Sequence, residues 1–157
     1  TAQEEAGKSW RYVYEWFKKN NITTNELLVL DTSPYETRLE ADVQQVVLRN
    51  RDVNARFKSP ILKQLKNFCH KNKIDFSCKD TFIQEKNKVR KEKNLPLLTL
   101  GSTELGRIVM ESKGSIQGTT LQIPTTGYHT VEETASIKAV KAILYILSSF
   151  YIDNKKA

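Results

Sequence analysis

Apolar positions recur along the chain in two rhythms, one suited to helices and one to buried strands. Trp10, Val13, Tyr14 and Phe17 stand at i, i+3, i+4 and i+7, which predicts an amphipathic helix ending near Asn20-Asn21. Leu27 to Leu30 is an unbroken apolar run closed by Asp31, the pattern of a strand buried on both faces with Asp31 at its C-terminal end. Val43 to Leu48 predicts a second strand, followed by the polar turn Arg49 to Asn54. Ser59-Pro60 opens a helix with proline at its first position, and Ile61, Leu62, Leu65, Phe68 and Cys69 mark its inner face. Short strands are predicted at Ile74 to Cys78 and at Leu95 to Leu100, the latter with Pro96 near its start.

The last third continues the alternation. Gly101-Ser102-Thr103 turns into a helix with Glu104 in its first turn and Leu105, Ile108 and Val109 inward. Gly114 and Gly118 bracket the next break, and Thr119 to Ile123 is a strand. A final helix runs from about Ala135 to Tyr151, with Ile137, Val140, Ile143, Leu144, Leu147 and Phe150 as its buried stripe. Strands alternating with helices imply parallel pairing and an α/β sheet covered on both faces, with residues 1–157 forming one domain. Ligand groups in such sheets collect at the carboxyl ends of strands. Asp31 and His129 lie just beyond predicted strand ends and can therefore converge.

Composition narrows the function classes. A chain of 157 residues buries a core without disulfides or a structural metal. No apolar run approaches the ~20 residues of a membrane span, and the polar, acidic N-terminus shows no signal peptide, so the expected location is the cytoplasm. Cys69 and Cys78 have no C-x-x-C spacing and one histidine nearby, His70, which supports neither a disulfide framework nor a zinc finger. Both read as reduced thiols. Cys69 and His70 are adjacent on a helix and point apart, so they form no catalytic pair.

The formal charge of +7 attracts anionic partners weakly, and part of the excess sits in Gln84 to Asn94. That segment lacks interleaved aromatics and reads as a solvated loop or the exposed end of a helix; no specific nucleic acid is expected. No Gly-rich phosphate loop or G-x-S-x-G elbow is present.

Two stretches carry candidate chemistry. Ile123 to Thr134, I-P-T-T-G-Y-H-T-V-E-E-T, is a loop shaped by Pro124 and Gly127 with His129 at its centre. Its plain reading is a turn around a partly buried histidine. Gln3-Glu4-Glu5-Ala6-Gly7 places two carboxylates side by side, which suits a metal ligand beside a general base, or simply the acidic start of a helix.

Taken together, Q-E-E-x-G at Gln3 to Gly7, L-V-L-D at Leu28 to Asp31, G-S-T-E-L-G at Gly101 to Gly106 and I-P-T-T-G-Y-H-T-V-E-E at Ile123 to Glu133 resemble the C-terminal part of the dinuclear zinc aminopeptidases. The nearest branch is that of the tetrahedral and glutamyl aminopeptidases. The resemblance implies a three-layer α/β sandwich with a mixed, mostly parallel sheet. It also implies a peptide substrate, two Zn2+ ions (Co2+ or Mn2+ being alternatives) and homo-oligomers such as dimers or dodecamers. Matched by position, Glu4 is the general base, Glu5 a carboxylate ligand sharing a metal with His129, and Asp31 a ligand of the other metal. Two cations about 3.5 to 4 Å apart acidify a shared water and polarise the scissile carbonyl, and a free carboxylate shuttles the proton. Glu132 and Glu133 are assigned to the start of the last helix.

This sequence departs from the family's pattern in several places. Family members carry a histidine in an H-x-D motif and a metal-bridging aspartate ahead of the Glu pair; neither is in this sequence, so the resemblance implies an incomplete ligand set, missing first strands and an isolated chain with weak or no activity. Thr126-Gly127 stands where relatives have an arginine, and Thr103-Glu104-Leu105-Gly106 where they have T-D-A-G. Thr81 to Leu95 is longer than usual and is expected to be a solvent-facing loop. The alternatives to a peptidase are a non-catalytic binding module on a degenerate peptidase fold, and a basic nucleic-acid-binding domain resting on charge alone.

Overall fold

The computed structural model describes residues 7–152. Its elements in order are α1 (Ser9–Lys19), β1 (Thr24–Pro34), α2 (Arg38–Asp42), β2 (Val46–Leu48), α3 (Pro60–Lys71), β3 (Phe76–Cys78), α4 (Lys79–Glu92), α5 (Glu104–Glu111), β4 (Ile116–Thr126), β5 (Thr134–Ala135) and α6 (Ile137–Tyr145), which runs on as a π-helical stretch, Ile146–Ile152. The strands form one mixed sheet in the order β1-β4-β2-β3, with β5 also paired to β4. The β1–β4 and β2–β3 pairs are parallel, whereas β2–β4 and β4–β5 are antiparallel.

Helices cover both faces, and strand alternation explains which residue serves which face. Val46, Leu48, Leu121 and the partly buried Leu28 pack with Ile61, Leu62, Leu65 and Cys69 of α3 and with Ala142 of α6. Their neighbours point the other way. Val47 joins Tyr35, Ala41 and Phe82, while Leu27 and Val29 pack with Leu105 and Val109 of α5, and Ile116 joins Trp10 and Ile108. The α/β sandwich with a mixed sheet is as expected, although only two of the four strand pairings are parallel.

Helices α3 and α5 begin where the sequence puts them, whereas the short capped helix α2 was not expected. Ser59 Oγ accepts the Ile61 N–H ahead of Pro60, and Thr103 Oγ1 accepts that of Gly106 at the head of α5. Strand bounds differ more. β1 extends to Pro34, so Asp31 lies inside it rather than past its end, and β4 spans Gly118, which is no break: it sits where a Cβ would stand 1.9 Å from the Leu27 carbonyl oxygen. Leu95 to Leu100 is not a strand. Pro96 removes a ladder donor, and the Leu98 N–H and C=O are both taken by the Asn87 side chain, at 2.8 and 2.9 Å.

Two further expectations change. The basic segment is the exposed C-terminal part of α4, so the loop expected over Thr81 to Leu95 is mostly helix, and the helix's first turns face inward: Ile83 and Lys79 are buried. Its charge is partly matched by α2 and its surroundings, through Lys86 on Glu40 and Arg90 at 3.9 Å from Glu36. The buried stripe of the last helix is also rotated. Ala139, Ala142 and Ile146 are its buried residues, whereas Ile137 and Leu144 are 74% and 60% exposed, because small residues let the helix lie close on the sheet. Both cysteines are free thiols, and burial pushes that of Cys69 up to about 11, which makes it unreactive. Among the described residues, no helix is long and apolar enough to cross a membrane.

Candidate metal centre

Asp31 is the fixed point of the site. It stands in β1 opposite Gln122 of β4, and both its oxygens are held: Oδ1 accepts the Thr32 N–H at 2.8 Å, and Oδ2 accepts Gln122 Nε2 at 3.1 Å. Gln122, 1% exposed, gives its other N–H to Thr32 O at 2.7 Å and takes Arg49 Nε on its carbonyl at 2.7 Å. Arg49, itself buried, is anchored by Nη1 on Leu100 O at 2.6 Å. Burial lifts the Asp31 carboxyl above its ordinary range, and the Thr32 N–H, the charge of Arg49 and the Gln122 amide oppose that rise.

His129 reaches the same place from the loop that follows β4, whose C-terminal end lies beside that of the parallel β1. The loop after β4 turns at Gly127, φ +72°, where a Cβ would meet Glu132 O at 2.7 Å. Thr130 and Glu133 close it, with Thr130 N on Gly127 O at 3.0 Å and Glu133 N on Thr130 O at 3.2 Å. His129 is thereby held at φ +59°, a left-handed conformation uncommon for a side-chain-bearing residue and one that clusters at functional sites. It is exposed, not partly buried, and its ring lies against Tyr128 at 3.8 Å between centroids.

Asp31 and His129 line two cavities together, of about 480 and 170 Å3, and Glu104, brought in by the head of α5, lines both with them. Asp52 fixes that approach by accepting the Thr103 N–H and hydroxyl at 2.8 and 2.9 Å. Glu133 belongs to the larger cavity and not to a helix start, since Thr134–Ala135 is a strand and Ser136 caps α6. Its Oε2 accepts the His129 N–H at 3.4 Å, while its Oε1 is buried with no hydrogen-bond partner among the described residues.

Gly7 lines the smaller cavity with Asp31 and His129, held by Trp10 Nε1 at 3.1 Å and Arg107 Nη1 at 3.3 Å on its carbonyl. Glu4 and Glu5 lie outside the described residues.

A second large cavity, also about 480 Å3, shares Asp31 as part of its wall and holds Arg49, Lys79 and Phe82. Lys79 donates to Pro34 O at 2.5 Å and lies 4.1 Å from the Tyr35 ring centroid. Burial brings its ammonium down to about 8, helped by the charge of Arg49 and opposed by Glu40. Sequence reasoning missed Arg49, Gln122 and Lys79. The only signal was a glutamine amid the apolar run Leu121 to Ile123, a buried amide that must find partners.

Among the described residues, no three His, Cys, Asp or Glu side chains form a cluster able to hold a metal ion. The two candidate ligands that do share a cavity fit zinc in kind, an imidazole and a carboxylate beside the orphaned oxygen of Glu133.

No protein-family model matches the chain, and no curated protein does. Among solved structures it is similar to PhTET1-12s, a dodecamer in its asymmetric unit, with a TM-score of 0.59 and 15% sequence identity over 87% of this chain. The chain has part of the PhTET1-12s fold. It spans 36% of the length of that neighbour, and the likeness to PhTET1-12s is one of fold.

Proposed function

We propose that this chain forms the C-terminal portion of the catalytic domain of a zinc-dependent aminopeptidase, which removes N-terminal residues from peptides. The observation that carries the reading is the convergence of Asp31 and His129, far apart in sequence, on two shared cavities, one of which Gly7 lines two residues after Glu5. The ordered sequence blocks and the fold shared with PhTET1-12s support it.

A zinc pair held here would acidify a water molecule and polarise the scissile carbonyl. Asp31 would hold one ion, and His129 with Glu5 the other. Glu4 would serve as the general base beside them. Asp31 keeps a fixed carboxylate plane through its two hydrogen bonds, and the closed turn Gly127 to Glu133 keeps His129 at the cavity mouth. Free Cys69 and Cys78 suit a reducing compartment, and we place the activity in the cytoplasm. Assembly into homo-oligomers belongs to the same reading, PhTET1-12s being a dodecamer.

The test is hydrolysis of aminoacyl-anilides by a form of the protein that also carries the upstream His-x-Asp and bridging Asp. Turnover that needs Zn2+ or Co2+ and is lost in Glu4→Gln supports the proposal. Turnover that persists in chelator overturns it. Neither metal uptake nor turnover in that form would leave a non-catalytic binding module as the better reading.

A further inference from the structure

The geometry points to Gln122 as a positioning residue that sets the Asp31 carboxylate for metal, with Arg49 acting through it. The inference rests on the metallopeptidase reading above and adds two residues to it.

The hydrogen-bond pattern allows Gln122 one orientation. Its Oε1 takes Arg49 Nε at 2.7 Å, and its Nε2 serves two acceptors, Asp31 Oδ2 at 3.1 Å and Thr32 O at 2.7 Å. A flipped amide would set an NH2 group against a guanidinium and a carbonyl against a carboxylate, so the network itself fixes which end faces Asp31. Arg49 is fixed in turn, by Leu100 O at 2.6 Å and by the Thr119 hydroxyl on its own carbonyl at 3.3 Å. Two buried groups thus form a chain from Arg49 through Gln122 to Asp31.

Three physical consequences follow for Asp31. Its carboxylate plane is held by a donor on each oxygen, leaving the remaining lone pairs for an ion. Arg49 polarises the Gln122 amide and strengthens the donor that Asp31 receives, since hydrogen bonds in series reinforce one another in a buried site. The positive charge of Arg49 is kept one residue away, so it orients the carboxylate without competing as its direct ion-pair partner. A metal-ligating carboxylate is commonly held by such outer partners, and their removal typically weakens metal binding tenfold to a hundredfold.

A buried network could instead only satisfy its own polar atoms, so the experiment must read the metal and not just the fold. Co2+ is titrated into the form that also carries the upstream His-x-Asp and bridging Asp, into its Gln122→Glu variant, which keeps the shape and the acceptor for Arg49 but loses the donor, and into its Arg49→Lys variant. The visible absorption of bound Co2+ and the side-chain NH2 resonances of Gln122 in the parent are followed together. The expected result is a Gln122 NH2 shift on Co2+ addition to the parent, at least tenfold weaker binding with an altered band in Gln122→Glu, and a smaller loss in Arg49→Lys. Should Gln122→Glu not fold, the parent NH2 shift and Arg49→Lys decide. Co2+ binding that moves His129 signals but leaves Gln122 unmoved, with variants matching the parent in affinity and band, overturns the positioning role alone. A parent that binds no Co2+ overturns the metal centre and the positioning role with it.

Discussion

Asp31 and Gln122 face each other across the parallel β1–β4 pair, and the Gln122 amide donates to Asp31 Oδ2 at 3.1 Å. The candidate ligand is therefore positioned by strand register and not by a loop. Any change that slides or parts these strands separates the carboxylate from its partner.

Gly118 gives the sharpest test of that dependence. It stands opposite Leu27 in the same register, and a Cβ there would lie 1.9 Å from the Leu27 carbonyl oxygen, a backbone atom that cannot swing aside. Gly118→Ala is expected to lower stability by about 3 kcal/mol, the upper part of the range for overpacking, in urea denaturation. A variant as stable as the parent would mean that the close approach of β4 to β1 is not needed.

How much of this was legible in the sequence depends on which force decides each element. Helices α1, α3 and α5 were legible because amphipathic spacing and a cap or terminus signal agree locally. The false strand at Leu95 to Leu100 reads as apolar and extended, yet both backbone hydrogen bonds of Leu98 go to the Asn87 side chain of α4, a partner that apolar patterning does not announce. On α6 the hydrophobicity of Ile137 and Leu144 drew attention from Ala139 and Ala142, which the sheet prefers for their size. That Asp31 and His129 share a cavity fits the expectation that they converge, but Asp31 does so from inside β1 and not from beyond its end. The partners Arg49 and Gln122 were not legible, since nothing in their own neighbourhoods says that two distant strands meet in register.

Lys79 gives the chain an alkaline signature. Its ordinary value is 10.5 and burial brings it to about 8 in the folded protein. Below about 8 both folded and unfolded chains carry the proton, and the cost of burying the charge is felt in full. Between about 8 and 10.5 the unfolded chain binds more protons, so stability rises with pH, by roughly 3 kcal/mol over the window. Urea denaturation at pH 7 to 10.5 is expected to show this rise in the parent relative to Lys79→Met, where it is absent. Parallel pH profiles for the two proteins would rule out a depressed Lys79.

The most direct test of the metal centre is elemental analysis of the form that also carries the upstream His-x-Asp and bridging Asp, after equilibration with Zn2+ and removal of free ion, repeated for His129→Ala and Asp31→Asn. Zinc is expected to be retained by the parent, with each variant losing retention while keeping the parent's far-ultraviolet circular dichroism. Zinc absent from the parent, or retained equally by the parent and both folded variants, would contradict the metal centre.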